Sequence, residues 1–112
     1  EMRNLKQECF KAALLTTKNT LITIEDISVG TINASLVHAR EVFRSAIANN
    51  ACSIILVHNH PSGDPTPNKK DISATEGLVK AGRIIGIKVL DHIIIGTDHF
   101  CTMREEEILC FD

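Results

Sequence analysis

The chain has 112 residues, 44% of them hydrophobic and 23% charged, the balance of one globular domain spanning residues 1–112. A chain this long buries roughly two-thirds of its unfolded surface, so its core needs no disulfide staples. A net charge of -2 and an aromatic content of 4%, with neither Trp nor Tyr, argue against a basic, base-stacking surface for nucleic acid. Cys9, Cys52, Cys101 and Cys110 lack Cys-x-x-Cys spacing and read as reduced thiols of a cytoplasmic protein. No apolar run is long enough for a bilayer, nothing resembles a signal peptide, and no membrane partner is expected. The first residue is Glu1 rather than Met, so a piece of a longer protein is the expectation.

In chain order, Glu1 to Gln7 is a polar entry. Glu8 to Thr16, with Cys9-Phe10-Lys11-Ala12-Ala13-Leu14-Leu15 at its centre, predicts a strand. Thr17-Lys18-Asn19 supplies a turn, and Thr20 to Val29 a hairpin partner. After Gly30, Thr31 to Val37 predicts a third strand. A helix opens at His38 or Ala39 and runs to about Asn49, with Val42, Phe43, Ala46 and Ile47 as the stripe facing a sheet. Ser53-Ile54-Ile55-Leu56-Val57 is a buried strand that ends in His58-Asn59-His60.

The segment Pro61 to Pro67 holds three prolines and a glycine and predicts a rigid loop walling one side of the strand end. Asn68 is an N-cap, and Asp71 falls at N3 of a helix over Ile72 to Arg83, with Ile72, Leu78, Val79 and Ala81 on its apolar side. Gly82 to Gly86 ends that helix. Ile87 to Ile95 predicts a strand, Gly96-Thr97-Asp98 a turn, His99 to Met103 a last strand and Arg104 to Leu109 a helical turn. This order fits an α/β fold, a three-layer α/β/α sandwich on a mixed sheet. Ligands of such folds sit at the carboxyl ends of strands, where His58 and His60 lie.

Side chains two apart in a strand share a face. His58 and His60 therefore point the same way, and Asp71 in the first turn of the following helix folds back toward them. Two imidazoles and one carboxylate leave a fourth tetrahedral position open, the pattern of catalytic rather than structural zinc. Each residue also has a plainer reading. A lone strand His is usually a hydrogen-bonded core or surface group, and Asp71 alone is a helix-dipole residue. Asp64 reads as an Asx turn that fixes the loop rather than as a fourth ligand, Asp91-His92 as a satisfied core pair in preference to residues that support the ligands or an interface, and His38 and His99 as surface residues. Lys69, Lys70, Lys80 and Arg83 read as a solvated helix face.

His58-x-His60, Pro61-Ser62-Gly63-Asp64-Pro65-Thr66-Pro67 and the downstream Asp71 resemble the C-terminal domain of the RadC family. Gly30-Thr31-Ile32-Asn33-Ala34-Ser35, Arg40-Glu41-Val42-Phe43 and Leu90-Asp91-His92-Ile93-Ile94-Ile95-Gly96 extend the resemblance over nearly the whole chain. It implies the JAMM (MPN-type) metalloprotease superfamily, a fold similar to cytidine deaminases, and a Zn2+ held by His58, His60 and Asp71. The family pattern Gln-Glu-x-Phe, here Gln7-Glu8-Cys9-Phe10, puts the catalytic base on Glu8. JAMM enzymes carry an oxyanion-stabilising Ser three residues before the Asp ligand; here Asn68 stands there, an amide that can both donate and cap. Ser62 is a second candidate donor.

The implied activity is that of a zinc-dependent metallopeptidase attacking an amide or isopeptide bond of a peptide or protein. The alternative is a DNA-repair-associated accessory module, or a metal-binding module without turnover. Full-length RadC members carry a helix-hairpin-helix segment ahead of this domain, so nucleic acid is not the expected partner of this stretch alone. A homo-oligomer is left open. A zinc deaminase is disfavoured because His-x-Glu with Pro-Cys-x-x-Cys is missing.

Overall fold

The computed structural model of the chain describes residues 8–29 and 39–112. The expected third strand over Thr31 to Val37, and His38, lie outside the described residues. The described residues form seven elements: β1 (Cys9–Leu15), β2 (Leu21–Val29), α1 (Ala39–Ala48), β3 (Ser53–Asn59), α2 (Lys69–Ile85), β4 (Lys88–Ile95) and β5 (Phe100–Thr102). They follow the elements predicted from pattern, except that Arg104 to Leu109 forms irregular turns and not a helical one. Glu107 there takes a positive φ of 55°, and its N–H donates to Arg104 O in an i to i+3 turn.

The strands make one mixed sheet in the order β2-β1-β3-β4-β5. β3 and β4 are parallel, joined by α2 as a crossover, and the other neighbours are antiparallel. The α/β class and mixed sheet expected from the sequence are what the chain forms. Opposed pairs Phe10↔His58, Ala12↔Leu56 and Leu14↔Ile54 share one face of the sheet, and all six side chains are buried. Lys11, Ala13, Ile55 and Val57, on the opposite face, are half-buried. Both helices cover the first face. The Phe43 ring of α1 and Val89 of β4 close on the space where a Gly82 side chain would sit in α2. Of the three expected layers, the described residues thus build the sheet and one helical layer holding α1 and α2.

In α1, Val42, Phe43 and Ala46 are buried as the stripe predicts, but Ile47 is 61% exposed. Five residues on from Val42, it has rotated about 140° around the helix, off the buried stripe. α2 begins at Lys69, one turn earlier than its apolar pattern suggests, because Asn68 caps it there. Its buried residues are Asp71, Thr75, Leu78, Val79 and Gly82, with Ile72 and Ala81 packed at the margin. Gly86, with φ of 91°, stops the helix in the left-handed conformation that glycine adopts without penalty.

The β3–β4 ladder carries one irregularity. Ile54 pairs with Val89 and Ile55 with Asp91, leaving Leu90 without a ladder partner. The bulge shifts the alternation of β4, so that Val89 and His92, three residues apart, come to the same buried face. The Leu90 carbonyl accepts from Arg104 Nε at 2.5 Å.

Candidate metal centre

Antiparallel pairing of β1 with β3 brings the start of β1 beside the end of β3. Glu8 lies two residues before Phe10, on the same face, and so reaches His58: Oε2 is 3.4 Å from Nε2. From the other side, the first turn of α2 delivers Asp71. Its Oδ1 is 3.5 Å from His58 Nε2 and its Oδ2 is 3.1 Å from His60 Nε2. The side chains named from sequence as metal ligands and base, His58, His60, Asp71 and Glu8, therefore meet at one place.

Local structure fixes each of them. Asn68 and Asp71 form a capping box: Asp71 N–H donates to Asn68 Oδ1 at 2.8 Å, and Asn68 N–H donates to Asp71 Oδ2 at 2.9 Å. Asn68 is thus a helix cap through Oδ1. His60 Nδ1–H donates to the Asp64 carbonyl at 2.9 Å, since a carbonyl can only accept. That contact leaves Nε2 facing Asp71 Oδ2, to which it donates when His60 is protonated; in neutral His60 it is the bare nitrogen. Asp64 closes the expected Asx turn, its Oδ1 accepting from Thr66 N–H at 3.0 Å and Thr66 Oγ1–H at 2.7 Å. Ser62 Oγ accepts from Asp64 N–H at 3.5 Å, a contact within the loop.

The Pro-rich loop is seated against the end of β4. Thr97 N–H donates to Gly63 O at 3.0 Å, and any side chain at Gly96 would collide with Gly63 O and Pro65. The loop reaches the centre through Asp64 O on His60, as its composition led us to expect.

A residue that the sequence reads first as half of a core pair also belongs here. His92 is buried, and its Nε2 is 2.7 Å from His58 Nδ1. Its partner in the expected core pair, Asp91, turns elsewhere, accepting from the backbone N–H groups of His92 at 2.7 Å and Arg104 at 2.9 Å. His99 is exposed, as are Lys69, Lys70, Lys80 and Arg83.

Burial sets the charge states. Removal from water pushes His58 from its ordinary 6.5 down to about 4, with Asp71 opposing and His60 reinforcing the shift. His92 is driven well below 6.5 for the same reason. His60 is raised, chiefly by its hydrogen bond to Asp71. Burial raises Glu8 above 4.5. Burial also works to raise Asp71, but donors from His60 and Asn68 and the nearby imidazoles outweigh it, and its carboxyl lies below 3.8.

The fit to a metal ion rests on donors and spacing. His58 Nε2 is buried and lacks a hydrogen-bond partner, a costly state for a nitrogen unless something binds it. Ligand atoms of Glu8, His58 and His60 lie within 4.8 Å of one another. Ligands about 2.0 Å from a tetrahedral ion stand about 3.3 Å apart. The contacts of 3.4, 3.5 and 3.1 Å among these four side chains match that spacing. Either carboxylate has the reach to complete a His58–His60 pair.

A mixed α/β sheet with two histidines at one strand end and carboxylates from a neighbouring strand and the crossover helix gives this domain a cluster of side chains that could hold a metal ion. The sequence matches the family model of the RadC-like JAB domain over residues 1–108, and the chain belongs to that family. It is 54% identical over its whole length to a UPF0758 protein of Caldanaerobacter subterraneus, covering 48% of that protein. Over 109 residues it is 56% identical to a UPF0758 protein of Alkaliphilus oremlandii, covering 97% of this chain and 47% of that one. A UPF0758 protein of Desulforamulus reducens is 53% identical over 109 residues, with 97% of this chain and 48% of the relative covered. The chain spans about half the length of these curated relatives. Among the described residues no helix is long and apolar enough to cross a membrane.

Proposed function

We propose that this domain is a zinc-dependent hydrolase acting on an amide or isopeptide bond of a peptide or protein, with His58, His60 and Asp71 as ligands and Glu8 as general base. The observation that carries the reading is the buried, unpartnered Nε2 of His58 facing two carboxylates, 3.4 Å from Glu8 and 3.5 Å from Asp71. Bound there, zinc would acidify a water and polarise the scissile carbonyl.

The two carboxylates divide the remaining work. Asp71 is clamped by the Asn68 N–H and by His60 and is held ionised, which suits a ligand. Glu8 sits just before β1 and is raised by burial, which suits a group that takes a proton at Oε2 and returns it to a leaving nitrogen. The cap engages Asn68 Oδ1, so the atom that would donate to an oxyanion is its amide Nδ2.

The test is metal content followed by turnover. Purified domain should take up one zinc, and His60→Ala or Asp71→Ala should lose most of it. Full occupancy in both variants would remove the ligand assignment. A library of peptides and isopeptide-linked conjugates, screened with the zinc-loaded domain, then tests hydrolysis; loaded protein that cleaves none of them would leave a metal-binding module.

A further inference from the structure

His58 makes a second set of contacts, on the side of its ring away from the carboxylates. Thr75 Oγ1 lies 2.7 Å from the Asp71 carbonyl, one turn back in α2, and 2.6 Å from His92 Nδ1. His92 Nε2 lies 2.7 Å from His58 Nδ1. All three side chains are buried, with no more than 1% of Thr75, His92 or His58 exposed.

The proton positions in this chain follow by elimination. The Asp71 carbonyl can only accept, so at 2.7 Å the Thr75 hydroxyl hydrogen points at it. Thr75 Oγ1 is then an acceptor toward His92, and the proton in that contact belongs to His92 Nδ1. The His92 ring is buried and its two nitrogens contact Thr75 Oγ1 and His58 Nδ1, with no carboxylate to pair a cation; with its one proton on Nδ1, its Nε2 carries a lone pair and accepts from His58. The proton of neutral His58 therefore sits on Nδ1, and its Nε2 is bare. The reverse direction would leave Thr75 Oγ1 and the Asp71 carbonyl as two acceptors 2.7 Å apart with no hydrogen between them. Phe10 holds both rings in place, stacked on His58 with centroids 5.5 Å apart and edge-on to His92 at 5.5 Å.

We propose that Thr75 and His92 are positioning residues that fix the tautomer of His58, so that its Nε2 presents a lone pair to the space between Glu8 and Asp71. The relay starts from the Asp71 backbone and ends on the nitrogen facing the Asp71 side chain. One turn of α2 thus places a ligand and sets the proton of its neighbour. The consequence for metal affinity rests on the zinc reading above; the tautomer itself does not.

The experiment uses 15N-labelled protein without metal at neutral pH, where two-bond 1H–15N spectra report which imidazole nitrogen bears the proton. In the wild type His58 should show a protonated Nδ1 and a bare Nε2. Thr75→Val takes the acceptor from His92 Nδ1–H, and the chain should reverse, moving the His58 proton to Nε2. Zinc affinity, read by competition with a chromophoric chelator, should fall about 10–100-fold in Thr75→Val, as for lost outer partners of metal-bound histidines. Thr75→Ser should restore both readouts.

A wild-type His58 protonated on Nε2 would overturn the proposal, and needs no variant that might fold poorly. So would a folded Thr75→Val protein with its tautomer unchanged, even if zinc affinity falls, because that loss would be structural. Wild type that binds no zinc but shows the Nδ1–H tautomer would overturn the zinc reading and support the relay.

Discussion

His60 and Asp64 are joined by a hydrogen bond of 2.9 Å from an imidazole Nδ1–H to a backbone carbonyl, and through it the Pro-rich loop orients a candidate ligand. The loop holds that carbonyl in place because Gly63 O accepts from Thr97 N–H at 3.0 Å and because Gly96 has no side chain to keep the two segments apart. We therefore expect Gly96→Ala to push the loop off the end of β4. The cost should be about 1–3 kcal/mol, as for other overpacked sites, read by urea denaturation. Zinc affinity should fall in parallel as His60 loses its acceptor. Full stability with full affinity would show that the loop does not orient His60.

Metal-free protein should lose stability steeply on acidification between pH 6.5 and 4. His58 is depressed from 6.5 to about 4, so the folded state refuses a proton that the unfolded chain accepts. For a depressed group the contribution is present above the unfolded value and lost as pH falls through the folded one, on the order of 3 kcal/mol here. His92, also depressed, acts in the same direction. Glu8 is raised and works against them, but it is one part-exposed carboxyl against two buried imidazoles. His60 is raised, so its contribution is complete below 6.5 and lost as pH climbs through its folded value. Chemical denaturation in chelator across this range should give a maximum near pH 6.5. A flat profile from pH 7 to 4 would contradict the buried neutral imidazoles.

The strand-end histidines were legible because parity along a strand is local: residues 58 and 60 share a face whatever surrounds them. Asp71 was legible through the cap, since Asn68 followed by a carboxylate at N3 fixes the first turn of α2. Glu8 was not. It meets His58 only through the antiparallel pairing of β1 with β3, a contact across 50 residues that no local pattern encodes, and family resemblance alone pointed to it. His92 was hidden by the bulge at Leu90. Counted from Val89, simple alternation puts His92 on the far face, and only the shifted register brings it to His58. Ile47 shows the same limit in a helix, where an apolar residue at the margin of a stripe ends up in solvent.

The thiols should divide into two classes. Cys52 and Cys110 are exposed, whereas Cys9 and Cys101 are 7% and 4% exposed. Burial, reinforced by Glu106, pushes the Cys101 thiol up to about 12, leaving almost no thiolate at pH 8. Ellman's reagent should titrate two thiols quickly in the native protein and all four after denaturation. Rapid modification of a third would place Cys9 or Cys101 nearer the surface than the fold has it.

This domain should bind duplex DNA weakly and without sequence preference. The chain carries a net charge of -2, too little positive charge for extensive phosphate contacts. Fluorescence anisotropy at physiological salt should give no saturation in the low micromolar range. Tight binding with a steep salt slope would favour the accessory-module reading.

Glu8→Gln separates the base from the metal. The substitution keeps size and polarity but cannot accept a proton. If Asp71 completes the ligand set, zinc content and thermal stability should stay close to wild type. Turnover of any substrate found for the domain should fall ~10²-fold or more, the range expected for lost general acid–base catalysis. The geometry leaves a sharp rival outcome, because Glu8 Oε2 is as close to His58 Nε2, at 3.4 Å, as Asp71 Oδ1 is, at 3.5 Å. Were Glu8 the third ligand, Glu8→Gln would lose zinc while Asp71→Asn kept it. Zinc content of the two variants, measured side by side, decides between these assignments before any substrate is in hand.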